Sequence, residues 1–72
     1  MAQQTEFLIE RMEEERSKAN EATLDKVRER HERAALAWQK LAERAIAADK
    51  LRAAEEKRKE EVRAAAAAAA TA

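Results

Sequence analysis

The chain has 72 residues and a formal net charge of zero, and it contains no glycine, proline, cysteine or tyrosine. Ala, Glu, Arg, Lys and Leu together occupy 53 of the 72 positions, a bias typical of long helices and coiled coils. Without cysteine, disulfides, thiolate zinc sites and cysteine nucleophiles are excluded. Without glycine or proline, the tight turns of hairpin-rich β folds and the glycine loops that bind phosphate are not expected.

Three helical segments are predicted along the chain. Residues 1–19 form an amphipathic segment, residues 20–54 the main amphipathic or coiled-coil helix, and residues 55–72 a charged and then Ala-rich extension. The predicted fold class is all-α, either one long helix or a hairpin of a short and a long helix, in a coiled-coil or helical-bundle oligomer. Only 13 residues are Leu, Ile, Val, Phe, Met or Trp, which is too few for a monomeric globular core.

The first segment combines a candidate N-cap with a short apolar stripe. Thr5 is the expected N-cap, because its hydroxyl can accept a hydrogen bond from the first turn of the helix. A consecutive triplet of Phe7, Leu8 and Ile9 follows, and Met12 extends it by one turn. Because such a triplet covers nearly a full turn, we expect it to insert into a partner or, if the chain reverses at a hinge near Asn20, to fold back onto Leu24 and Val27.

Helix propensity dips clearly at one place, residues 17–20. Ser and Asn compete for backbone hydrogen bonds, so this stretch favours a hinge, after which Asn20 or Thr23 would cap a second helix. The alternative is a helix that continues through the dip. Asp49 is a weaker candidate for a second break.

The main helix contains four heptads in which apolar residues recur at 3-4 spacing, as in a coiled-coil seam. Position a is occupied by Leu24, His31, Trp38 and Ala45. Position d is occupied by Val27, Ala34, Leu41 and Ala48. Between residues 34 and 54 the apolar surface widens beyond these positions and includes Ile46 and Leu51. A helix of this kind packs against several neighbours, so a multi-helix assembly is favoured over a plain dimer.

Catalytic and metal-binding constellations are not predicted. His31 is the only histidine, and its neighbours three and four residues away are Val27, Arg28, Ala34 and Ala35, none of which suits a metal site. We expect His31 to set the register of the seam or to reach solvent; a meeting with its symmetry mates is the alternative. The paired glutamates lie in charge-rich runs where carboxylates stay solvated. We therefore predict no enzyme activity, no cofactor and no metal.

The function favoured by these patterns is a structural or oligomerising helical subunit or scaffold, whose partner is a second copy or another helical protein. The predicted interface is Phe7, Leu8, Ile9, Met12, Leu24, Val27, His31, Ala34, Trp38, Leu41, Ala45, Ile46, Ala48 and Leu51. Three alternatives stay open: a regulatory adaptor that binds a helix of a larger protein, a nucleic-acid-binding helical dimer, and a designed helical assembly.

Other partners are not expected. With zero net charge, counterion release contributes little to nucleic-acid binding, although Arg28, Arg30 and Arg33 would be the contact residues. The longest apolar run, residues 64–70, is all Ala and far too short to span a bilayer. Acids are as common as bases, unlike in a basic membrane-surface helix. No small-molecule substrate is indicated, and a cytoplasmic location is the default expectation.

Overall fold

Residues 2–71 are described by a computed structural model, in which they form two α-helices. Helix α1 spans Gln3–Glu21 and helix α2 spans Asp25–Thr71. The two helices pack side by side and antiparallel, which confirms the all-α prediction and selects the hairpin over the single long helix. The outermost residues of the predicted first and third segments, 1 and 72, lie outside the described residues.

The hairpin is a rod. Its extents are 71 × 14 × 13 Å and its radius of gyration is 20.3 Å, whereas a compact domain of this length would have a radius of about 11 Å. The length is that of α2, which continues unbroken through Asp49. The start of α1 lies beside Asp49, and every residue from 50 to 71 is exposed. We call residues 50–71 the projecting segment.

The connection between the helices lies just beyond the predicted hinge. Helix α1 continues through residues 17–20 and ends at Glu21, and residues 22–24 make the turn. Asn20 is therefore inside α1 and Thr23 is in the turn, so neither stands directly before the first residue of α2. The chain does reverse after the first segment, but the turn begins two residues after the last residue of the dip in propensity.

The turn is closed without glycine. Ala22, after the last residue of α1, has extended backbone angles of φ −69° and ψ 132°, which any residue can adopt. The first hydrogen bond of α2 runs from the Arg28 N–H to the Leu24 carbonyl at 3.0 Å. The Arg28 guanidinium also donates to the Ala22 carbonyl at 3.0 Å and pairs with Asp25 at 3.6 Å. One side chain thus links the end of α1 to the start of α2.

The expectation that Thr5 caps α1 is wrong. The helix begins at Gln3, and the preceding Ala2 provides no side-chain cap. Thr5 lies inside the first turns, is only 1% exposed, and donates its hydroxyl proton to Asp49 Oδ2 at 2.8 Å. Its hydroxyl therefore joins the two helices and does not cap the N-terminus of α1.

The core between the helices is thin. Its fully buried apolar residues are Leu8, Ala19, Ala35 and Ala42. Two buried polar residues, Thr5 and Glu15, lie in the same contact line. Small side chains let helices approach toward the short end of the usual interaxial range of about 8–10 Å, but they remove little apolar surface from water. No helix in the described range carries an apolar stretch of the length that crossing a membrane requires.

The projecting segment is held helical by contacts within itself. Ion pairs three residues apart join Glu55 to Arg58 at 2.6 Å and Glu60 to Arg63 at 2.9 Å. Each such pair adds about 0.2–0.5 kcal/mol to a helix. Because these pairs are local, the segment can continue α2 as a solvated helix beyond the end of α1.

Candidate interaction surface

The predicted interface residues are distributed over three levels of burial. Leu8 is buried. The half-buried residues are Ile9, Met12, Val27, His31, Ala34, Trp38, Ala45, Ile46 and Ala48. The exposed residues are Phe7, Leu24, Leu41 and Leu51, of which Leu24 lies in the turn and Leu51 in the projecting segment. Each position of the predicted seam thus has three half-buried residues and one exposed residue, Leu24 at a and Leu41 at d. The α2 residues buried against α1 are Ala35 and Ala42, which lie outside both positions.

An aromatic cluster marks one side of the hairpin. The Phe7 ring meets the Trp38 ring edge to face, with centroids 6.1 Å apart and planes at 90°, the geometry that aromatic quadrupoles favour. The Arg11 guanidinium lies over the same indole, 5.3 Å from its centroid, within the range of a cation–π contact. Trp38 is therefore covered from two positions of α1, while Phe7 itself remains 52% exposed. The expectation that the triplet folds back onto Leu24 and Val27 is wrong for Phe7, because an antiparallel α1 brings its beginning to the middle of α2.

The aromatic cluster continues into an apolar surface along α2. Residues three or four positions from Trp38, and seven from those, lie on the same side of a helix. We define the apolar face of the hairpin as Phe7, Ala34, Trp38, Leu41 and Ala48. Leu41 is 44% exposed, and the alanines beside it leave a shallow surface with no charge between its apolar residues on α2.

The other side of the hairpin, which we call the polar face, carries hydrogen bonds between polar side chains. Arg16 donates to the Gln39 side-chain oxygen at 2.8 Å, and Gln39 donates to Glu43 at 3.0 Å. An open depression of about 370 Å³ lies beside them, lined by Arg16, Ala19, Asn20, Glu32, Ala35, Leu36 and Gln39. The depression brings together no nucleophile and base, so it offers no catalytic arrangement.

The hairpin gives His31 a partner that the sequence pattern did not indicate. Its Nδ1 lies 2.6 Å from Oε2 of Glu15, which is buried in the contact between the helices. The hydrogen bond from His31 holds the pKa of Glu15 below its ordinary value against the opposing effect of burial, and the charges of Lys18, His31 and Arg11 add to the lowering. The alternative expectation, that His31 meets its symmetry mates, is thus replaced, within the hairpin, by a contact with an acid from α1.

A second polar contact joins the N-terminal end of α1 to α2. Asp49 accepts the hydroxyl of Thr5 at 2.8 Å and the Ala2 N–H at 3.5 Å, and it also contacts Arg52. The hydrogen bond from Thr5 is the main reason that the pKa of Asp49 is lowered; burial opposes it, and Ala2 and Arg52 reinforce it. The buried Glu15 and the half-buried Asp49 therefore fix the relative position of the two helices.

Charges of opposite sign border the apolar face. The rows of α2 just outside Leu41 form a basic edge of Lys26, Arg30, Arg33, Lys40 and Arg44. The outer rows of α1 carry Glu10, Glu14 and Glu21, which we call the acidic edge. Lys18 lies between Glu14 and Glu21 on the same side of the helix, with its ammonium 4.0 Å from Glu15. Of the eight residues of the two edges, only Glu14 belongs to an ion pair within residues 2–71, with Arg11 at 2.5 Å. The apolar face thus has an acidic and a basic border.

Within the described part of the chain, no three His, Cys, Asp or Glu side chains are grouped so that they could hold a metal ion. Comparison with protein-family models, with curated proteins and with solved structures finds no match for this chain. The features of the hairpin that bear on function are the apolar face and its charged edges.

Proposed function

We propose that the chain is a structural, self-associating helical subunit without catalytic chemistry, and that a second copy covers its apolar face. The observation that carries this proposal is the contrast between the thin core and the exposed surface beside it. Phe7 and Leu41 remain 52% and 44% exposed, on a face that also contains the half-buried Trp38.

The energetics support an intermolecular role for this face. Helices without tertiary packing are marginal in water even when they are rich in alanine, and small single cores give only a few kcal/mol of net stability. Within the hairpin, three of the four fully buried apolar residues are alanines. Covering the apolar face with a second copy would remove Phe7 and Leu41 from water, two of the six large apolar side chains that the hairpin alone leaves exposed.

Self-association is tested by sedimentation and by thermal unfolding followed by circular dichroism. We expect a mass above the 8.1 kDa of one chain and a melting temperature that rises when the protein concentration is increased about tenfold, because association stabilises the folded form by mass action. A monomer whose melting temperature is independent of concentration would contradict the proposal. A monomer that gains helicity only with another helical protein would indicate the adaptor alternative.

Two leucines of α2 provide a matched test of which face is used. Leu41 is 44% exposed on the apolar face, and Leu36 is 49% exposed beside the depression of the polar face. We expect Leu41→Gln to weaken self-association by about tenfold or more, corresponding to about 1.4 kcal/mol or more, and Leu36→Gln to leave it within about 0.5 kcal/mol. Equal effects of the two substitutions, measured by sedimentation at several concentrations, would show that the apolar face has no special role.

The basic edge of α2 favours one further candidate, a nucleic-acid-binding helical dimer. Its five residues belong to no ion pair within residues 2–71. Binding through them would slow duplex RNA in a gel and would weaken steeply with salt. Arg30→Gln together with Arg44→Gln should then abolish the retardation, whereas Arg58→Gln in the projecting segment should not.

A further inference from the structure

Two copies can cover each other's apolar faces as a closed two-fold pair in two ways. If the axis runs along the helices, α1 of each copy lies over α2 of the other copy. If the axis runs across the helices, α1 lies over α1 and α2 lies over α2. The two arrangements bury the same surface but bring different charged edges together.

The charged edges distinguish these arrangements. With the axis across the helices, the acidic edge would face a second acidic edge and the basic edge a second basic edge, which is repulsive. With the axis along the helices, each acidic edge faces a basic edge. Like charges placed opposite each other at an interface suppress an arrangement, and opposite charges fix the register.

The contacts within one chain determine which residues of α1 and α2 lie at the same height along the helix axes. The pairs Thr5 with Asp49 and Glu15 with His31 fix the height of α1 against α2, and an axis along the helices keeps the same heights in the second copy. Phe7 then lies level with Leu41 of the second copy. At the turn end, the acids at the end of α1 lie level with the bases at the start of α2.

The area of the face suits a stable dimer. The part of α2 beside α1 has about 25 residues and is about 37 Å long at 1.5 Å per residue. Two helices about 10 Å apart present a face about 20 Å wide, or roughly 700 Å² per copy. Both copies together would bury roughly 1,400 Å², within the usual range of about 1,200–2,000 Å² for specific complexes.

From these observations we infer that the chain forms a four-helix dimer in which α1 of each copy packs over α2 of the other, with both projecting segments leaving the bundle at the same end. The inference rests on the proposed self-association and adds the orientation of the copies. The two projecting segments then run parallel, about 14 Å apart across the diagonal of a bundle with sides of about 10 Å. The dimer would have a helical body and a two-pronged helical extension.

The orientation is tested by a distance between two copies of one spin label. The chain has no cysteine, so Ala67→Cys gives a single labelled position in the exposed projecting segment. With both segments at one end, electron–electron dipolar spectroscopy should give a distance of about 15–30 Å between labels. With the segments at opposite ends, the body and two extensions would separate the labels by about 90 Å. Sedimentation of the same labelled sample reports whether a dimer is present.

Charge exchange provides an independent test. One variant carries Glu10→Lys and Glu21→Lys, and a second carries Arg30→Glu and Arg44→Glu. Each variant alone should associate at least about tenfold more weakly than the native chain, because its two edges then carry like charges. An equimolar mixture should recover dimers, since the basic α1 of one chain meets the acidic α2 of the other. Glu13→Lys on the polar face serves as the control and should leave association unchanged.

The outcomes distinguish a failure of the proposed orientation from a failure of the proposed self-association. Dimers with a short label distance, together with weakened association of each variant alone, support the orientation. Recovery in the mixture shows that the weakened variants still fold and can associate. Dimers with labels about 90 Å apart, or variants that associate as well alone as the native chain does, overturn the orientation and leave self-association standing. A monomer at every concentration overturns both.

Discussion

Replacing Trp38 with alanine is expected to lower the free energy of unfolding of the hairpin by about 2–3 kcal/mol. The indole is covered by the Phe7 ring at 6.1 Å and by the Arg11 guanidinium at 5.3 Å, and contacts of these types contribute about 0.5–1.5 and about 0.5–1 kcal/mol. The remainder is the apolar area of the ring. Because Trp38 is half-buried, we expect less than the roughly 3–5 kcal/mol lost when a fully buried tryptophan is truncated.

The measurement is denaturant unfolding followed by circular dichroism, with all variants at one chain concentration. Leu51→Ala is the control, since Leu51 is 72% exposed in the projecting segment and should change stability by no more than about 0.5 kcal/mol. A double-mutant cycle with Phe7→Ala should give a coupling of about 0.5–1.5 kcal/mol. If Trp38→Ala and Leu51→Ala have equal effects, the aromatic cluster does not hold the helices together.

Acid is expected to separate the two helices. The pKa values of Glu15 and Asp49 are lowered in the folded chain from ordinary values of 4.5 and 3.8, so the unfolded chain binds protons more readily. The stability that these acids contribute is fully present above their ordinary pKa values and is lost as the pH falls through the lowered ones. We therefore expect a lower melting temperature at about pH 2.5 than at about pH 6.

Neutral variants identify the acids responsible. Removing both carboxylates that join the helices, with Glu15→Gln and Asp49→Asn, should lower the melting temperature at about pH 6 and reduce its further fall on acidification. Glu13→Gln removes an exposed carboxylate of the same helix and should leave the native pH dependence intact. If the double variant loses stability in acid as steeply as the native chain, other carboxylates govern the effect.

The part of the apolar face that lies on α2 could be predicted because it depends on local order along one helix. The recurrence of apolar residues at 3-4 spacing placed Trp38, Leu41 and Ala48 on neighbouring rows of α2, and these residues do border the contact with α1. The same pattern could not indicate that Trp38 faces α1 while Leu41 stays exposed. That division depends on where the second helix lies against the first.

The polar contacts between the helices could not be predicted from the sequence pattern, for a related reason. Glu15 is one acid in a run of three, and Thr5 is well suited to an N-cap. Successive helical residues differ by about 100° in direction, so the position of the turn decides which acid of the run points at His31. The sequence did contain a weak indication of the side of α1 that faces α2. A 3-4 spacing that includes two polar residues runs through Thr5, Leu8, Met12, Glu15 and Ala19.

The sequence by itself determined that this protein is helical, because helix propensity is a property of each residue and its near neighbours, and no glycine or proline interrupts the chain. It also determined that the second half of α2 is a solvated helix with local ion pairs. Only the tertiary structure decided that the chain reverses at residues 22–24, that Glu15 meets His31, and that Asp49 meets Thr5. These features join residues far apart in the chain, and their geometry follows from how two helices pack, which no local preference specifies.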